Sequence, residues 1–202
     1  MSSQFFSKKQ WIFDRWAPFY DIFFTTVFYQ AIHKRLLEYV DLPEQASILD
    51  LGCGTGRLLN RLAHQNLTLQ GTGLDLSQEM LKQANINNQY PSRLTFVEGN
   101  AETMPFADNK FDAVFNTISF LHYPNPITVL SEVHRILRPE GKFYLVDYTI
   151  RWDDEPKIIG ISSGSLHIYS PTVREKLGQQ VGLTCVKHQY LLGAIMLTIF
   201  SK

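Results

Sequence analysis

The chain is poor in cysteine, with Cys53 and Cys185 the only two among 202 residues. That excludes a disulfide-stapled scaffold, offers no metal-ligand cluster by spacing, and predicts free thiols in a reducing, cytoplasmic setting. It also lacks an excess of charge of either sign: 19 basic residues balance 19 acidic ones, so nothing in bulk attracts nucleic acid or anionic lipid. The opening Met1-Ser2-Ser3-Gln4-Phe5-Phe6-Ser7-Lys8-Lys9 has neither the apolar stretch nor the small-residue cleavage site of a secretion signal. The longest apolar run, Leu191 to Phe200, contains Gly193 and Thr198 and falls well short of the roughly 20 residues that span a bilayer, so it reads as a buried strand. Repeats and low-complexity segments are missing too, and the length suits one domain.

What is present is concentrated in Ile48-Leu49-Asp50-Leu51-Gly52-Cys53-Gly54-Thr55-Gly56-Arg57-Leu58-Leu59, followed by Gly73-Leu74-Asp75-Leu76-Ser77. An apolar β-run that ends in closely spaced glycines lets a ligand approach the backbone, and the helix behind it opens with free N–H groups. A second run ending in a carboxylate about 20 residues later can grip a ribose diol. The glycines read G-x-G-x-G, and Arg57 stands where the dinucleotide fingerprint requires its last glycine, which weakens a nicotinamide-dependent oxidoreductase reading without removing it. Asp50 beside the loop repels a pyrophosphate and welcomes a cationic amino-acid group, and S-adenosylmethionine carries an ammonium and a sulfonium.

Short β-rich runs at 48–51, 71–75, 94–97, 112–116 and 142–147 alternate with helical patterns, the rhythm of an α/β fold. Leu58, Leu59 and Leu62 make one helical face, Met80, Leu81 and Ala84 a second, and Val129, Leu130, Val133, Ile136 and Leu137 a third. Ser77 stands at an N-cap position, and Arg138-Pro139-Glu140-Gly141 predicts a helix stop and a type I turn. After a helix from Pro171 to Val181, the runs Leu183–Leu192 and Ala194–Phe200 are so close that they must pair antiparallel.

The D-L-G-C-G-T-G and G-L-D-L-S stretches resemble the class I S-adenosylmethionine-dependent methyltransferases. The likeness continues through Phe96–Phe106, Phe111–Asn116 and Ile136–Lys142, and covers about residues 10 to 190. Phe13-Asp14-Arg15-Trp16-Ala17-Pro18-Phe19-Tyr20-Asp21 is similar to the ubiquinone and menaquinone biosynthesis methyltransferases. The resemblance implies a Rossmann-like, seven-stranded, mostly parallel sheet with an antiparallel C-terminal strand and helices on both faces. It further implies that backbone N–H groups from Gly52, Cys53, Gly54 and Gly56 hold the methionine end, and that Asp75 binds the ribose and Leu76 lies on the adenine. Asn100, Ala101 and Glu102 stand where the family reaches the adenine amino group, with Asn in place of the usual Asp. Asn116 matches the position that faces the ammonium, and Tyr20 belongs to a Tyr-Asp pair that closes over the cofactor.

Two segments lie outside the core pattern: residues 1–46, dense in aromatics, and an irregular insert at 151–170 in the 47–202 core. Both adjoin the ligand edge of an open α/β sheet, so they are expected to form a lid and a substrate wall; ordinary core packing and membrane-surface contact stay open for the first. His122, Tyr123, His167 and Tyr169 are the candidate proton acceptors, set against packing or surface roles. Thr117-Ile118-Ser119-Phe120 is not the N-P-P-Y tetrapeptide of amino-directed DNA methyltransferases. The expectation is methyl transfer to a small, lipophilic, quinol-like acceptor, with a catalytically idle cofactor-binding protein as the alternative. No nucleic-acid partner is expected, and the sequence does not fix an oligomeric state.

Overall fold

The computed structural model describes residues 23–150, 155–161 and 164–202, so Tyr20 and the aromatic opening at 13–21 lie outside the described residues. In chain order the elements are α1 (Phe23–Leu37), β1 (Ser47–Leu51), α2 (Arg57–Gln65), β2 (Gln70–Asp75), α3 (Gln78–Ile86), β3 (Leu94–Glu98) and β4 (Phe111–Thr117). A 3₁₀ turn (Phe120–His122) follows, then α4 (Pro126–Ile136), β5 (Leu137–Tyr148), β6 (Lys157–Ile161), β7 (Gly164–Ile168), α5 (Pro171–Gln180), β8 (Thr184–Leu192) and β9 (Ile195–Ser201).

Seven strands form one sheet in the order β3-β2-β1-β4-β5-β9-β8. The first five are parallel, and β9 runs antiparallel to both β5 and β8. The expected mostly parallel, Rossmann-like sheet is therefore present. Because successive side chains on a strand point to opposite faces, β1 sends Leu49 and Leu51 to one layer and Ile48 to the other. The first layer is closed by Val129, Leu130, Val133 and Ile136 of α4, all at most 1% exposed. The second is closed by Leu58, Leu59 and Leu62 of α2 together with Ile32 and Leu36 of α1. Each such side chain contributes about 1.5–3 kcal/mol relative to leaving it in water, which fixes both helical layers to the sheet. Strand order reverses between β1 and β4, so the loops leaving their carboxyl ends diverge and open a crevice.

Ser77 caps α3 by accepting the Met80 N–H at 3.1 Å, and Ser170 caps α5 through the Val173 N–H. Three expectations change. Glu140 has φ +65°, and a left-handed third position is the signature of a type II turn, not the type I expected at 138–141. The described part of the insert at 151–170 is not irregular: β6 and β7 pair antiparallel from Lys157↔Ile168 to Ile161↔Gly164 as a separate ribbon. The described end of segment 1–46 also belongs to the core, since Ile32 and Leu36 are fully buried one helical turn apart. No helix among the described residues is long and apolar enough to cross a membrane.

Candidate functional site

Beyond β1 the backbone makes a left-handed excursion at Gly52 (φ +74°) and Gly54 (φ +51°), which side chains rarely tolerate. The two glycines serve different needs. A Cβ on Gly52 would run into the Ser119 side chain, whereas one on Gly54 would meet nothing within 4 Å. That opening belongs to a cavity of about 170 Å³ lined by Asp50, Gly52, Cys53, Gly54, Asp75, Leu76, Asn100, Ala101, His122 and Tyr123.

The glycine-loop N–H groups are not available in the way expected. Gly52 and Cys53 both donate to the Leu74 carbonyl, at 2.8 and 3.1 Å, Gly54 donates to Asp75 Oδ2 at 2.8 Å, and Gly56 donates to the Cys53 carbonyl at 3.0 Å. The register of β1 on β2 brings Leu74 and Asp75 against the loop and consumes the Gly52, Cys53 and Gly54 donors, while Gly56 closes the turn on itself. Two acidic side chains, Asp50 and Asp75, line the same cavity, a setting for a cation. Gly56 itself is not in the wall; it starts α2, and a Cβ there would strike the Phe96 ring.

Asp75 also accepts the Ser77 N–H on Oδ1 at 2.9 Å, which fixes the orientation of its carboxylate in the cavity wall. Asp50 is only 2% exposed, and burial together with the neighbouring Asp75 carboxylate raises its pKa from 3.8 to about 8. A cation beside it would lower that pKa and hold the group as a carboxylate. The ammonium of S-adenosylmethionine fits this site for that reason. The Cys53 thiol is pushed up by burial and by both carboxylates, so it stays protonated and is no nucleophile. Asn100 Oδ1 accepts the Glu102 N–H at 2.9 Å and keeps a lone pair, while Glu102 lies outside the wall and accepts from Asn125 Nδ2.

Asn116 is fully buried behind the wall and not on it. Its Nδ2 donates to the Leu51 carbonyl at 2.8 Å, to Ser119 Oγ and to Tyr123 OH, which ties the ends of β1 and β4 together. Of the four candidate bases, His122 and Tyr123 reach the cavity. Tyr123 is a poor one, because burial drives its phenol well above the usual range. His167 and Tyr169 do not line the cavity: Tyr169 is 4% exposed, packs on Phe120 with ring centroids 5.5 Å apart, and has its phenol raised by burial, while His167 bonds Ser165 Oγ.

Two wall residues escape a reading by motif. Ile118 has φ +51°, an outlier for a β-branched residue, and is held there by its N–H to the Val146 carbonyl at 2.8 Å. His33, one turn after Tyr29 on α1, is 5% exposed, and its Nδ1 has no hydrogen-bond partner among the described residues. Burial, then Arg61 and Arg57, lowers its pKa to about 3, so the ring is neutral. The only sequence signal for it was helical spacing beside Tyr29.

Comparison with known proteins agrees with this geometry. A family model described as a methyltransferase domain matches residues 49–145. The chain is 32% identical to a demethylmenaquinone methyltransferase of Lactiplantibacillus plantarum over 166 residues, 78% of this chain and 69% of that one. It is 28% identical to the ubiquinone/menaquinone biosynthesis C-methyltransferase UbiE of Rickettsia typhi, over 95% of this chain and 80% of that one. Among solved structures, a complex of the Haloferax volcanii Trm112 methyltransferase activator with a methyltransferase superposes with a TM-score of 0.78 at 23% identity, over 94% of this chain and 96% of that one, a likeness of fold. Several other curated relatives are matched over about half their own length, from 36% to 65%. The crevice with its two acidic side chains and these likenesses agree: the chain belongs to the class I S-adenosylmethionine-dependent methyltransferases.

Proposed function

We propose that this protein transfers a methyl group from S-adenosylmethionine to a small lipophilic acceptor, with a quinol-like ring as the leading class. The observation that carries the reading is one cavity lined by Asp50, Gly54 and Asp75, two acidic side chains beside a glycine with open space, where an ammonium and a ribose can be held. When bound, the cofactor supplies an electrophilic methyl on an excellent leaving group. Asp50 then orients the amino-acid end, Asp75 accepts from the ribose hydroxyls, Leu76 covers the base, and Asn100 with Ala101 meets its amino group. Alignment of donor and acceptor contributes about 7–11 kcal/mol in favourable cases, so a strong base is not required.

On the acceptor side Tyr29, His33, Ile118 and His122 supply an aromatic and apolar wall with two imidazoles. His122 is the candidate that assists loss of a ring-hydroxyl proton, which raises electron density at the ring carbon. Likeness to a demethylmenaquinone methyltransferase and to a ubiquinone/menaquinone biosynthesis methyltransferase supports that acceptor class. Tyr29 and His33 are the described part of segment 1–46 that meets the cavity, and the free thiols are read as cytoplasmic. Incubation of the protein with labelled S-adenosylmethionine and a demethylmenaquinol analogue tests the proposal. Labelled quinol is expected; cofactor binding with no transfer to any quinol would point to an idle or differently specific member.

A further inference from the structure

The two cysteines are too far apart in sequence to suggest a metal framework, yet the fold assembles a mixed one. β8 pairs with β9 as Cys185↔Phe200, Lys187↔Ile199 and His188↔Thr198, so Val186 is an extra residue, a β-bulge. In a regular strand residues three apart point to opposite faces. The bulge cancels that rule and puts Cys185 and His188 together, beside Phe200 and Thr198. Helix α5 packs over this face with Gly178 against the Phe200 ring, and brings Glu175 to the same spot.

The geometry there is that of a ligand set. His188 Nε2 lies 2.9 Å from Glu175 Oε1 and 3.5 Å from Cys185 Sγ, and all three ligand atoms lie within 4.8 Å of one another. Tetrahedral bonds of about 2.0–2.3 Å hold nitrogen and sulfur about 3.6 Å apart and nitrogen and oxygen about 3.4 Å apart. The nitrogen–sulfur distance already matches, and the Glu175 carboxylate, on a side chain 44% exposed, has room to adjust to the nitrogen–oxygen one. The other ring nitrogen, Nδ1, is 3.0 Å from Thr198 Oγ1, a fully buried hydroxyl able to accept its N–H and leave the Nε2 lone pair for a cation.

We propose that Glu175, Cys185 and His188 bind one borderline divalent cation of the zinc type, at a site separate from the methyl-transfer cavity. A thiolate and a carboxylate neutralise the dication, the imidazole is neutral, and the thiol proton is released to solvent on binding. Solvent supplies the fourth ligand on the exposed Glu175 side. The soft sulfur and the imidazole select against magnesium and calcium, which take oxygen ligands. Bound metal would pin α5 to the edge strand β8.

The test is titration of the full, untagged chain with Zn²⁺ by calorimetry and with Co²⁺ by absorption. One equivalent of zinc and a thiolate-to-cobalt charge-transfer band are expected. Cys185→Ser should abolish the band, and both it and Glu175→Gln should weaken zinc binding at least about tenfold; Cys53→Ser should leave both signals unchanged. Circular dichroism without metal verifies that each variant is folded. Absence of saturable one-to-one binding, a cobalt complex without the band, or undiminished affinity in the folded Cys185 and Glu175 variants would overturn the site.

Discussion

Gly54 donates its N–H to Asp75 Oδ2 at 2.8 Å, so the end of β1 is clamped to the end of β2 by the same carboxylate that is read as the ribose acceptor. The bond makes loop shape and sugar recognition one property. Asp75→Ala removes two sugar hydrogen bonds and also frees the Gly54 and Ser77 N–H groups. Bonds to a charged group are worth about 1.5–3 kcal/mol each, so S-adenosylhomocysteine affinity should fall about a hundredfold or more in calorimetry. Undiminished binding would remove Asp75 from the ribose role.

Gly52→Ala and Gly54→Ala separate folding from binding within one loop. Each forces a side chain into a left-handed conformation, at about 1–2 kcal/mol. For Gly52 the new methyl also collides with Ser119, whereas for Gly54 it enters open space at the cavity. In urea denaturation Gly52→Ala should be the more destabilised of the two. Gly54→Ala should stay folded and lose cofactor affinity; if it binds normally, the cofactor does not approach the backbone there.

Asp50→Asn should make the unliganded protein more stable and the cofactor bind less well. Between pH 3.8 and about 8 the folded protein holds a proton on Asp50 that the unfolded chain has released. Stability is therefore full below pH 3.8 and is lost as pH rises to about 8. Removing the titration should raise stability at pH 7 by a few kcal/mol. The ammonium needs the ionised form, so affinity should climb with pH up to about 8 and level off above it, a slope that the Asn variant lacks. Calorimetry over a pH series checks both, and the difference between the proteins removes the cofactor's own titration. A variant with the wild-type pH slope would show that Asp50 does not meet the ammonium.

Much of this was legible in the sequence for a physical reason: Asp50, Gly54, Asp75 and Ser77 sit at strand ends, where local spacing dictates geometry. What depends on neighbouring strands was not. That Leu74 and Asp75 consume the glycine-loop N–H groups follows from the register of β1 on β2, which no single motif states. Tyr169 could not be told from a wall residue until its ring was seen against Phe120. Cys185 and His188 were hidden because the Val186 bulge breaks the period of two on which a strand reading rests.

His33 gives the last prediction, and its sign is opposite to that of Asp50. An imidazole held at a pKa of about 3 is neutral in the folded protein, while the unfolded chain binds a proton below 6.5. The unfolded state thus holds the extra proton between those limits, and stability falls with acidification from pH 6.5 to about 3. His33→Leu removes this term and fills the same buried site without the orphaned Nδ1. Its stability advantage over the wild type should grow as pH drops, by about 1.4 kcal/mol per pH unit. In the window from pH 3.8 to 6.5 the Asp50 and His33 contributions have opposite signs and offset each other, so each single variant should steepen the profile in the direction of the remaining group. Urea denaturation at pH 4, 5 and 6 measures it. A constant offset between His33→Leu and the wild type would mean that the ring is protonated in the fold, and its neutral role beside the cavity would be lost.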